Sequence, residues 1–218
     1  MGDINVGILV VADSIPEEIK NRFRNCIEWS KPKSNYEIVM MEHERDEEEP
    51  FNKCILLNAG LKMCFEKKFD VIIQTDIDLV VSPGAIDFTA EVAMNDKCCC
   101  HIGMIRLEKG VYDPMLKYTD YPWNEWVKNG KKQYASGCWN GMIPKMWELS
   151  GGWNPAMTNW GQEDGSHRRR AIRNGVKWKD RWEWIRSYPL IHPYHDKRSP
   201  NNSRNNKELD DKTVKSYL

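Results

Sequence analysis

The sequence predicts an α/β fold, a single domain in which a mostly parallel central sheet is flanked by helices. Residues 5–12, 36–42 and 69–75 are largely apolar runs, typical of strands covered on both faces. The segments between them, 17–30 and 51–68, place apolar residues at helical spacing. The order β-α-β-α-β favours parallel strands joined by right-handed crossovers.

The second of these helices is expected to pack one apolar face on the sheet. The residues we expect to point inward are Ile55, Leu56, Ala59 and Met63.

The second half of the chain has weaker patterns. A strand is predicted at 98–107, and a short helix is expected to end at Gly151-Gly152. A further helix is capped by Gly175, and residues 177–184 alternate aromatic and charged side chains as an edge strand does.

The chain divides into one domain and a tail. The domain covers residues 1–196, with a first half at 1–95 and a second half at 96–196. Residues 197–218 are polar and are expected to form a mobile tail.

Charge and composition narrow the classes of partner. The chain has 218 residues, and its 32 Lys and Arg equal its 32 Asp and Glu. This balance argues against nucleic acid or an anionic membrane as a partner. The N-terminal apolar run is too short for a membrane span. The cysteines number seven, which is odd, and three of them are adjacent at 98–100. This pattern does not suit a disulfide framework, so we expect reduced thiols in a cytoplasmic protein.

Two carboxylates interrupt the third predicted strand, in "VIIQTDIDLVV". In a strand, Asp76 and Asp78 would point to the same face, at the carboxyl edge where open α/β sheets bind ligands. Two such carboxylates repel each other unless a cation lies beside them. This Asp-x-Asp pair therefore predicts a divalent metal that bridges protein oxygens and nucleotide phosphates, and an acidic surface turn is the alternative.

Three motifs in order resemble the β-1,4-galactosyltransferase family. They are "FNKCILLNAG" leading to "FDVIIQTDIDLV", then "SGCWNGMIPKMWELSGGWNPAMTNWGQEDG", and finally "HPYHDKRSPNN". The chain is also similar to the polypeptide N-acetylgalactosaminyltransferases in its metal and Trp-Gly-x-Glu motifs. The resemblance covers residues 5 to 205 and implies a GT-A glycosyltransferase fold with a nucleotide-sugar donor in residues 1–95 and an acceptor and catalytic half in 96–196.

The resemblance also implies a metal site. Asp78 is the first ligand expected, and Asp76 is expected to contact the ribose, the metal or a metal-bound water. His195 matches the family histidine and His192 stands where the family has Met, although another register leaves open which histidine binds. Mn²⁺ or Mg²⁺ could serve at such a site. A histidine pair satisfied by backbone groups is the alternative.

Catalysis is assigned to the motif "NWGQEDG". By resemblance Asp164 is the general base that activates the acceptor hydroxyl, and Glu163 binds an acceptor hydroxyl or supports the loop. The alternative is that both acids cap the following helix. For the acceptor we expect Trp160 to stack on the sugar, beside Gly161, with Trp139 as the next candidate.

The donor is assigned to the first half of the chain. Asp13 or Ser14 ends the first strand and Glu42 ends the second, where uracil and ribose would bind. Lys53 stands where the family has Arg and is expected to reach a phosphate or the donor sugar. Asn58 lies about one helical turn further on and is expected beside the donor.

The sequence thus predicts a metal-dependent glycosyltransferase. It would move a hexose or N-acetylhexosamine from a UDP-sugar to a hydroxyl of a glycan or another acceptor, with inversion at the sugar. The alternatives are a retaining transferase of the same fold, a nucleotidyltransferase, or a non-catalytic carbohydrate-binding protein. A bacterial or viral origin is expected, and the oligomeric state stays open.

Overall fold

A computed structural model describes residues 4–44, 46, 49–113, 115–133, 135–159, 161–195, 203–209 and 214–218. In chain order its elements are β1 (Asn5–Asp13), α1 (Glu17–Trp29), β2 (Asn35–His43), α2 (Lys53–Glu66), β3 (Val71–Thr75), β4 (Val80–Val81), α3 (Ala85–Asp96), β5 (Cys99–His101), β6 (Met104–Arg106), a 3₁₀ turn (Tyr118–Asp120), α4 (Trp123–Asn129), β7 (Lys131–Gln133), β8 (Trp139–Met142), α5 (Pro144–Ser150), α6 (Glu163–Arg173), β9 (Trp178–Asp180), α7 (Trp182–Ser187), β10 (Leu190–His192) and α8 (Ser203–Glu208).

The central sheet has six strands in the order β2-β1-β3-β8-β5-β9. The pairs β1/β2, β1/β3 and β5/β9 are parallel, which confirms the α/β class and the β-α-β-α-β start. The sheet is mixed, however, because β8 lies antiparallel between β3 and β5.

A second sheet of four strands has the order β4-β10-β6-β7. Its strand β4 begins two residues after Asp78 and pairs with β10, which ends at His192. This pairing brings a late histidine back to the acidic turn. In the parallel pair β10/β6, His192 lies opposite Arg106.

The central sheet is covered on both faces. Alternate residues of β1 enter two different core clusters: Val6, Ile8 and Val10 join the cluster of α1 and α3, and Leu9 and Val11 join that of α2 and α5. Each fully buried aliphatic side chain stabilises the fold by roughly 1.5–3 kcal/mol. This burial explains why the strand is apolar at successive positions.

The prediction for the inner face of α2 is wrong for Ile55, Ala59 and Met63, and it holds in part for Leu56, which packs against the core cluster of α2 and α5. Ile55 is 52% exposed and Met63 is 42% exposed, whereas Leu57 and Leu61 are fully buried. Leu57 and Leu61 lie at helical spacing on the buried face, and Gly60 lies on the same face. Its missing side chain lets α2 approach β1 closely, since an added Cβ would lie 2.3 Å from Cδ1 of Leu9.

Two predictions at helix ends are confirmed, and one strand prediction is confirmed in part. Helix α5 ends at Gly151, whose φ of +79° is left-handed, and Gly175 has a φ of +96° just beyond α6. The expected edge strand at 177–184 holds for β9, which is the outermost strand, but α7 replaces its second part. None of the helices that the structure describes is both long and apolar enough to cross a bilayer.

The described C-terminal residues pack on the domain, which differs from the mobile tail that their composition predicts. The N–H of Tyr217 donates to the carbonyl of Gly151 at 2.8 Å, and Asn174 Nδ2 donates to the carbonyl of Lys215 at 2.7 Å. Leu218 packs against the core cluster of α2 and α5. Hydrogen bonds to Gly151 and Asn174 and the packing of Leu218 thus hold this segment on the domain.

We expect Gly152→Ala to destabilise the fold by at least about 1 kcal/mol. Gly152 has a φ of +66°, and an added Cβ would lie 2.6 Å from Oδ1 of Asn58 and 2.9 Å from Cγ of Leu218. Urea denaturation measures the loss. Gly110→Ala is the matched control, since Gly110 has a φ of +82° but nothing within 4 Å. Equal losses in the two variants would contradict the packing of Leu218.

Candidate active site

A cleft of about 700 Å³ opens where β1 and β3 end. Most of the predicted site residues line it: Asp13, Ser14, Lys53, Asp76, Asp78, Gly161, Glu163, Asp164, His192 and His195. The cleft therefore draws its polar groups from segments far apart in the sequence. Its position at the carboxyl edge of parallel strands is the usual ligand site of open α/β sheets.

Asp76 and Asp78 lie in a turn, so the prediction that they share one face of a strand is wrong. Strand β3 ends at Thr75, and the N–H of Asp76 donates to the carbonyl of Cys138 at 3.3 Å. Within the turn the two carboxylates have different partners. Asp76 contacts Lys53, whereas Asp78 contacts histidines.

Asp78, His192 and His195 form a cluster that can hold a metal ion. Their ligand atoms all lie within 4.8 Å of one another. Asp78 Oδ2 lies 2.8 Å from Nε2 of His195 and 3.7 Å from Nε2 of His192. Both histidines that the sequence left as alternatives therefore reach the cluster.

The donor set fits a divalent transition metal such as Mn²⁺. One carboxylate and two imidazoles provide one hard and two borderline ligands, whereas Mg²⁺ prefers oxygen ligands alone. Three protein ligands leave coordination positions open for substrate oxygens. Among the described residues, the buried Nδ1 of His192 has no hydrogen-bond partner.

Lys53 joins two carboxylates from opposite halves of the chain. Its Nζ lies 2.9 Å from Asp76 Oδ1 and 3.2 Å from Asp164 Oδ2. Burial lowers the pKa of Lys53, but the charges of Asp164, Asp76 and Glu163 outweigh it and raise that pKa well above its usual value. The ammonium therefore stays charged. The pKa of Asp76 is raised, because the effect of burial exceeds the lowering by the positive charge of Lys53.

Asp164 is held on both of its oxygens. Trp153 Nε1 donates to Oδ1 at 3.1 Å, and Lys53 donates to Oδ2. Gly137 packs against this carboxylate, where an added Cβ would lie 1.9 Å from Oδ2. Asp164 lies in the first turn of α6, at the positive end of the helix dipole.

Glu163 is nearly buried, at 4% exposure, and supports the loop before α6. Its Oε2 accepts a hydrogen bond from the N–H of Gly161 at 2.7 Å. Burial, and then the charge of Asp164, raise the pKa of Glu163 to about 7. The capping alternative is not observed, since the N-cap of α6 is Gln162 and no side-chain cap is found among the residues that the structure describes.

Two predicted contacts are placed elsewhere by the structure. Trp139 is fully buried and its Nε1 donates to Thr89 Oγ1 at 2.8 Å, so the prediction that it stacks on an acceptor is wrong. Asn58 does not line the cleft, because its amide binds the main chain of Trp153, accepting at 2.9 Å and donating at 2.8 Å. Trp160 lies outside the described residues.

Glu42 lines a second cavity of about 380 Å³, which shares Ser14 with the main cleft. Its carboxylate accepts from Lys20 at 2.7 Å and Arg24 at 3.4 Å. Asp13 Oδ1 lies 2.9 Å from Nδ1 of His43 at the boundary between the two cavities. These ion pairs occupy part of the polar surface expected to bind a nucleoside.

Sequence reasoning missed Arg106 and Phe51, which both line the cleft. Arg106 lies opposite His192 in the second sheet, and both residues line the cleft that holds the candidate metal cluster. A single arginine that follows a run of apolar residues in "HIGMIRL" is the signal that could have found it. Trp153, which donates to Asp164, was also missed, although it lies in "GGWNP" within the second motif.

Three of the solved structures that match this chain are glycosyltransferases. The catalytic domain of Drosophila β1,4-galactosyltransferase 7, in complex with xylobiose, aligns at a TM-score of 0.66 with 17% identity, over 95% of this chain and 79% of that one. A mutant of that Drosophila enzyme, in complex with manganese, UDP-Gal and xylobiose, aligns at a TM-score of 0.65 with 15% identity, over 99% of this chain and 82% of that one. GalNAc-T7 with UDP, GalNAc and Mn²⁺ aligns at a TM-score of 0.58 with 11% identity, over 89% of this chain and 44% of that one.

These likenesses establish the fold. The chain has the GT-A glycosyltransferase fold and resembles the β1,4-galactosyltransferase and N-acetylgalactosaminyltransferase structures. No protein-family model matches the chain, and no curated protein matches it in sequence. The likeness therefore lies in the architecture, with low sequence identity.

We expect Glu163→Gln to remove a pH-dependent loss of stability. The pKa of Glu163 is raised from 4.5 to about 7 in the folded state, so wild-type stability falls as pH rises from about 4.5 to about 7. The difference from the Gln variant, which keeps an acceptor for Gly161, should grow by up to about 3 kcal/mol over that interval. Urea denaturation across this pH range measures it.

Glu148→Gln is the control for this measurement, because Glu148 is an exposed glutamate on α5. A Glu163→Gln variant whose stability follows the wild type in parallel across the interval would contradict the raised pKa.

Proposed function

We propose that the protein is a metal-dependent glycosyltransferase that moves a hexose or N-acetylhexosamine from a UDP-sugar to an acceptor hydroxyl. One observation carries the proposal: a single cleft is lined by both a three-ligand metal cluster and an oriented carboxylate, Asp164. Glycosyl transfer needs both, since a leaving diphosphate must be neutralised and an acceptor hydroxyl must lose its proton. The solved neighbours contain UDP-Gal or UDP with Mn²⁺, which supports this choice of donor and metal.

The donor side is formed by the ends of β1, β3 and β10. Asp78, His192 and His195 would hold Mn²⁺, or Mg²⁺ as the alternative, and the bound ion would supply Lewis-acid stabilisation of the diphosphate. Arg106 adds a positive charge to the same cleft. Asp13 lies at the nucleoside end of the cleft, near the second cavity that Glu42 lines.

Lys53 and Asp76 would complete the donor side. The ammonium of Lys53 already binds both Asp76 and Asp164, so it lies between the donor and acceptor regions. Asp76 is 31% exposed at its side chain and keeps surface toward the cleft for a ribose or a metal-bound water. Lys53 would thus orient two carboxylates and leave direct phosphate contact to other groups.

The acceptor side is formed by the loop before α6 and the first turn of that helix. Asp164 is 20% exposed at its side chain and lines the cleft, so it would take the proton of the acceptor hydroxyl. Glu163 is buried and bonded to Gly161, so it would hold the loop. A base oriented beside the cleft, as Asp164 is by Trp153 and Lys53, supports direct displacement with inversion. Trp160 stays the predicted stacking residue.

The other functions have less support. A non-catalytic carbohydrate-binding protein would leave the metal cluster and the oriented carboxylate of Asp164 without a purpose, and four tryptophans that it could use for stacking are buried, namely Trp126, Trp139, Trp147 and Trp153. A nucleotidyltransferase would need a Gly-rich, basic loop after β1 to hold a triphosphate, and the residues there are "SIPEEIK". Retention at the sugar is separated from inversion by the anomeric configuration of the product, which proton NMR measures.

We further propose that the protein works in the cytoplasm and that the two halves of the chain bind different substrates. The seven cysteines are all buried free thiols, which suits a reducing cytoplasm. We propose that residues 1–95 bind most of the donor and residues 96–196 bind the acceptor. The metal cluster joins the halves, since Asp78 comes from the first and both histidines from the second.

The first experiment is hydrolysis of a panel of nucleotide sugars by the purified protein. We expect slow release of nucleoside diphosphate from one UDP-sugar with Mn²⁺, weaker release with Mg²⁺, and none with EDTA. Calorimetry measures donor binding in parallel. No release and no donor binding with any metal would overturn the proposal.

Two substitutions should separate metal binding from proton transfer. Asp78→Asn should weaken Mn²⁺ binding and with it turnover, because it removes the carboxylate of the cluster. Asp164→Asn should lower transfer by about 10²- to 10⁴-fold while Mn²⁺ and UDP still bind. Asp180→Asn is the matched control, since Asp180 lies in a partly exposed ion pair with Arg168. Loss of metal binding in Asp164→Asn would contradict these roles.

A further inference from the structure

The geometry points to Trp153 as the residue that positions the Asp164 carboxylate for proton transfer. The inference rests on the proposed function, because it assumes that Asp164 is the base. Trp153 is fully buried and does not line the cleft, so it is a positioning residue rather than a catalytic one. It acts through one contact, the 3.1 Å hydrogen bond from its Nε1 to Asp164 Oδ1.

This hydrogen bond completes the orientation of the carboxylate. Lys53 donates to the other oxygen, Oδ2, at 3.2 Å. One donor on each oxygen fixes the carboxylate plane as well as its position, which a single flexible ammonium cannot do. The remaining lone pairs stay available for an acceptor hydroxyl.

Trp153 is itself held rigidly. Asn58 accepts from its main-chain N–H at 2.9 Å and donates to its carbonyl at 2.8 Å. The ring of His167 stacks on the Trp153 ring, with centroids 4.1 Å apart. Burial, and then Arg170, lower the pKa of His167 to about 3, so the stacked ring is uncharged. The indole N–H of Trp153 is therefore held in its direction toward Asp164 Oδ1.

The opposite side of the carboxylate is also fixed. Gly137 packs directly on Asp164, and its carbonyl accepts from Gln74 Nε2 at 2.8 Å. Asn140 Nδ2 donates to the carbonyl of Ser136 at 2.7 Å and to Oε1 of Gln74 at 2.9 Å. This buried polar network holds the 136–137 turn in place, so Asp164 lies between a fixed turn and a fixed indole.

The test compares Trp153→Phe with Trp147→Phe. Trp147 is a fully buried tryptophan in the same core cluster, but its Nε1 donates to the carbonyl of Ile72 at 2.9 Å. Both variants keep an aromatic ring and lose one buried indole hydrogen bond. We expect Trp153→Phe to lower kcat of transfer about 10- to 100-fold, as for loss of a hydrogen bond to a charged group, with little change in donor KM or Mn²⁺ affinity. Trp147→Phe should keep kcat within about twofold of wild type.

A second readout does not depend on turnover. The indole N–H resonance of Trp153, assigned by its absence in Trp153→Phe, should shift in Asp164→Asn, whereas the Trp147 resonance should not. An unmoved Trp153 resonance, or equal kcat values in the two Phe variants, overturns the inference. Absence of turnover in the wild type overturns the proposed function instead, and the NMR result then still decides whether the contact exists.

Discussion

One buried cation holds the site together. Lys53 lies between Asp76, which follows β3, and Asp164, which lies in the first turn of α6. Without its charge, the carboxylates of Asp76, Asp164 and Glu163 would repel one another around a poorly solvated cleft. Since the two ion-paired carboxylates come from different halves of the chain, this pairing also joins the two halves. A partly buried ion pair of this kind contributes little net stability, so its main effect is to hold the three groups in one arrangement.

The second sheet has a different task, which is to bring metal ligands together. Strand β4 follows the acidic turn directly, and its pairing with β10 returns His192 to Asp78 across more than a hundred residues. His195 then follows in the loop after β10. The antiparallel strand β8 has a similar effect inside the central sheet, because the turn that leads into it places Gly137 against Asp164.

Much of the first half could be predicted from the sequence. Continuous apolar runs identify strands buried on both faces, and the three motifs locate Lys53, Asp164 and the two histidines before any coordinates are known. The patterns fail where a contact between distant segments decides. The close approach of α2 to β1 at Gly60 and Leu9 is such a contact, which no helical period reveals.

The same limit explains the misplaced site residues. Asn58 binds a main chain 95 positions away, and Trp139 is buried because β8 is inserted between two other strands. Neither contact has a local signature. The C-terminal residues are an example in which composition fails, since their polar composition predicts mobility but Leu218 packs on the core.

The buried cysteines have a practical consequence. All seven thiols are buried, and burial raises the pKa of Cys26 to about 11 and that of Cys64 to about 12. A thiol that is both covered and protonated reacts with an alkylating reagent only after the surrounding structure opens. Cys26 lies on α1, Cys64 on α2 and Cys99 on β5, so they report from separate parts of the fold. Alkylation rates at these positions, read by mass spectrometry, would give the opening free energy of each part without any engineered label.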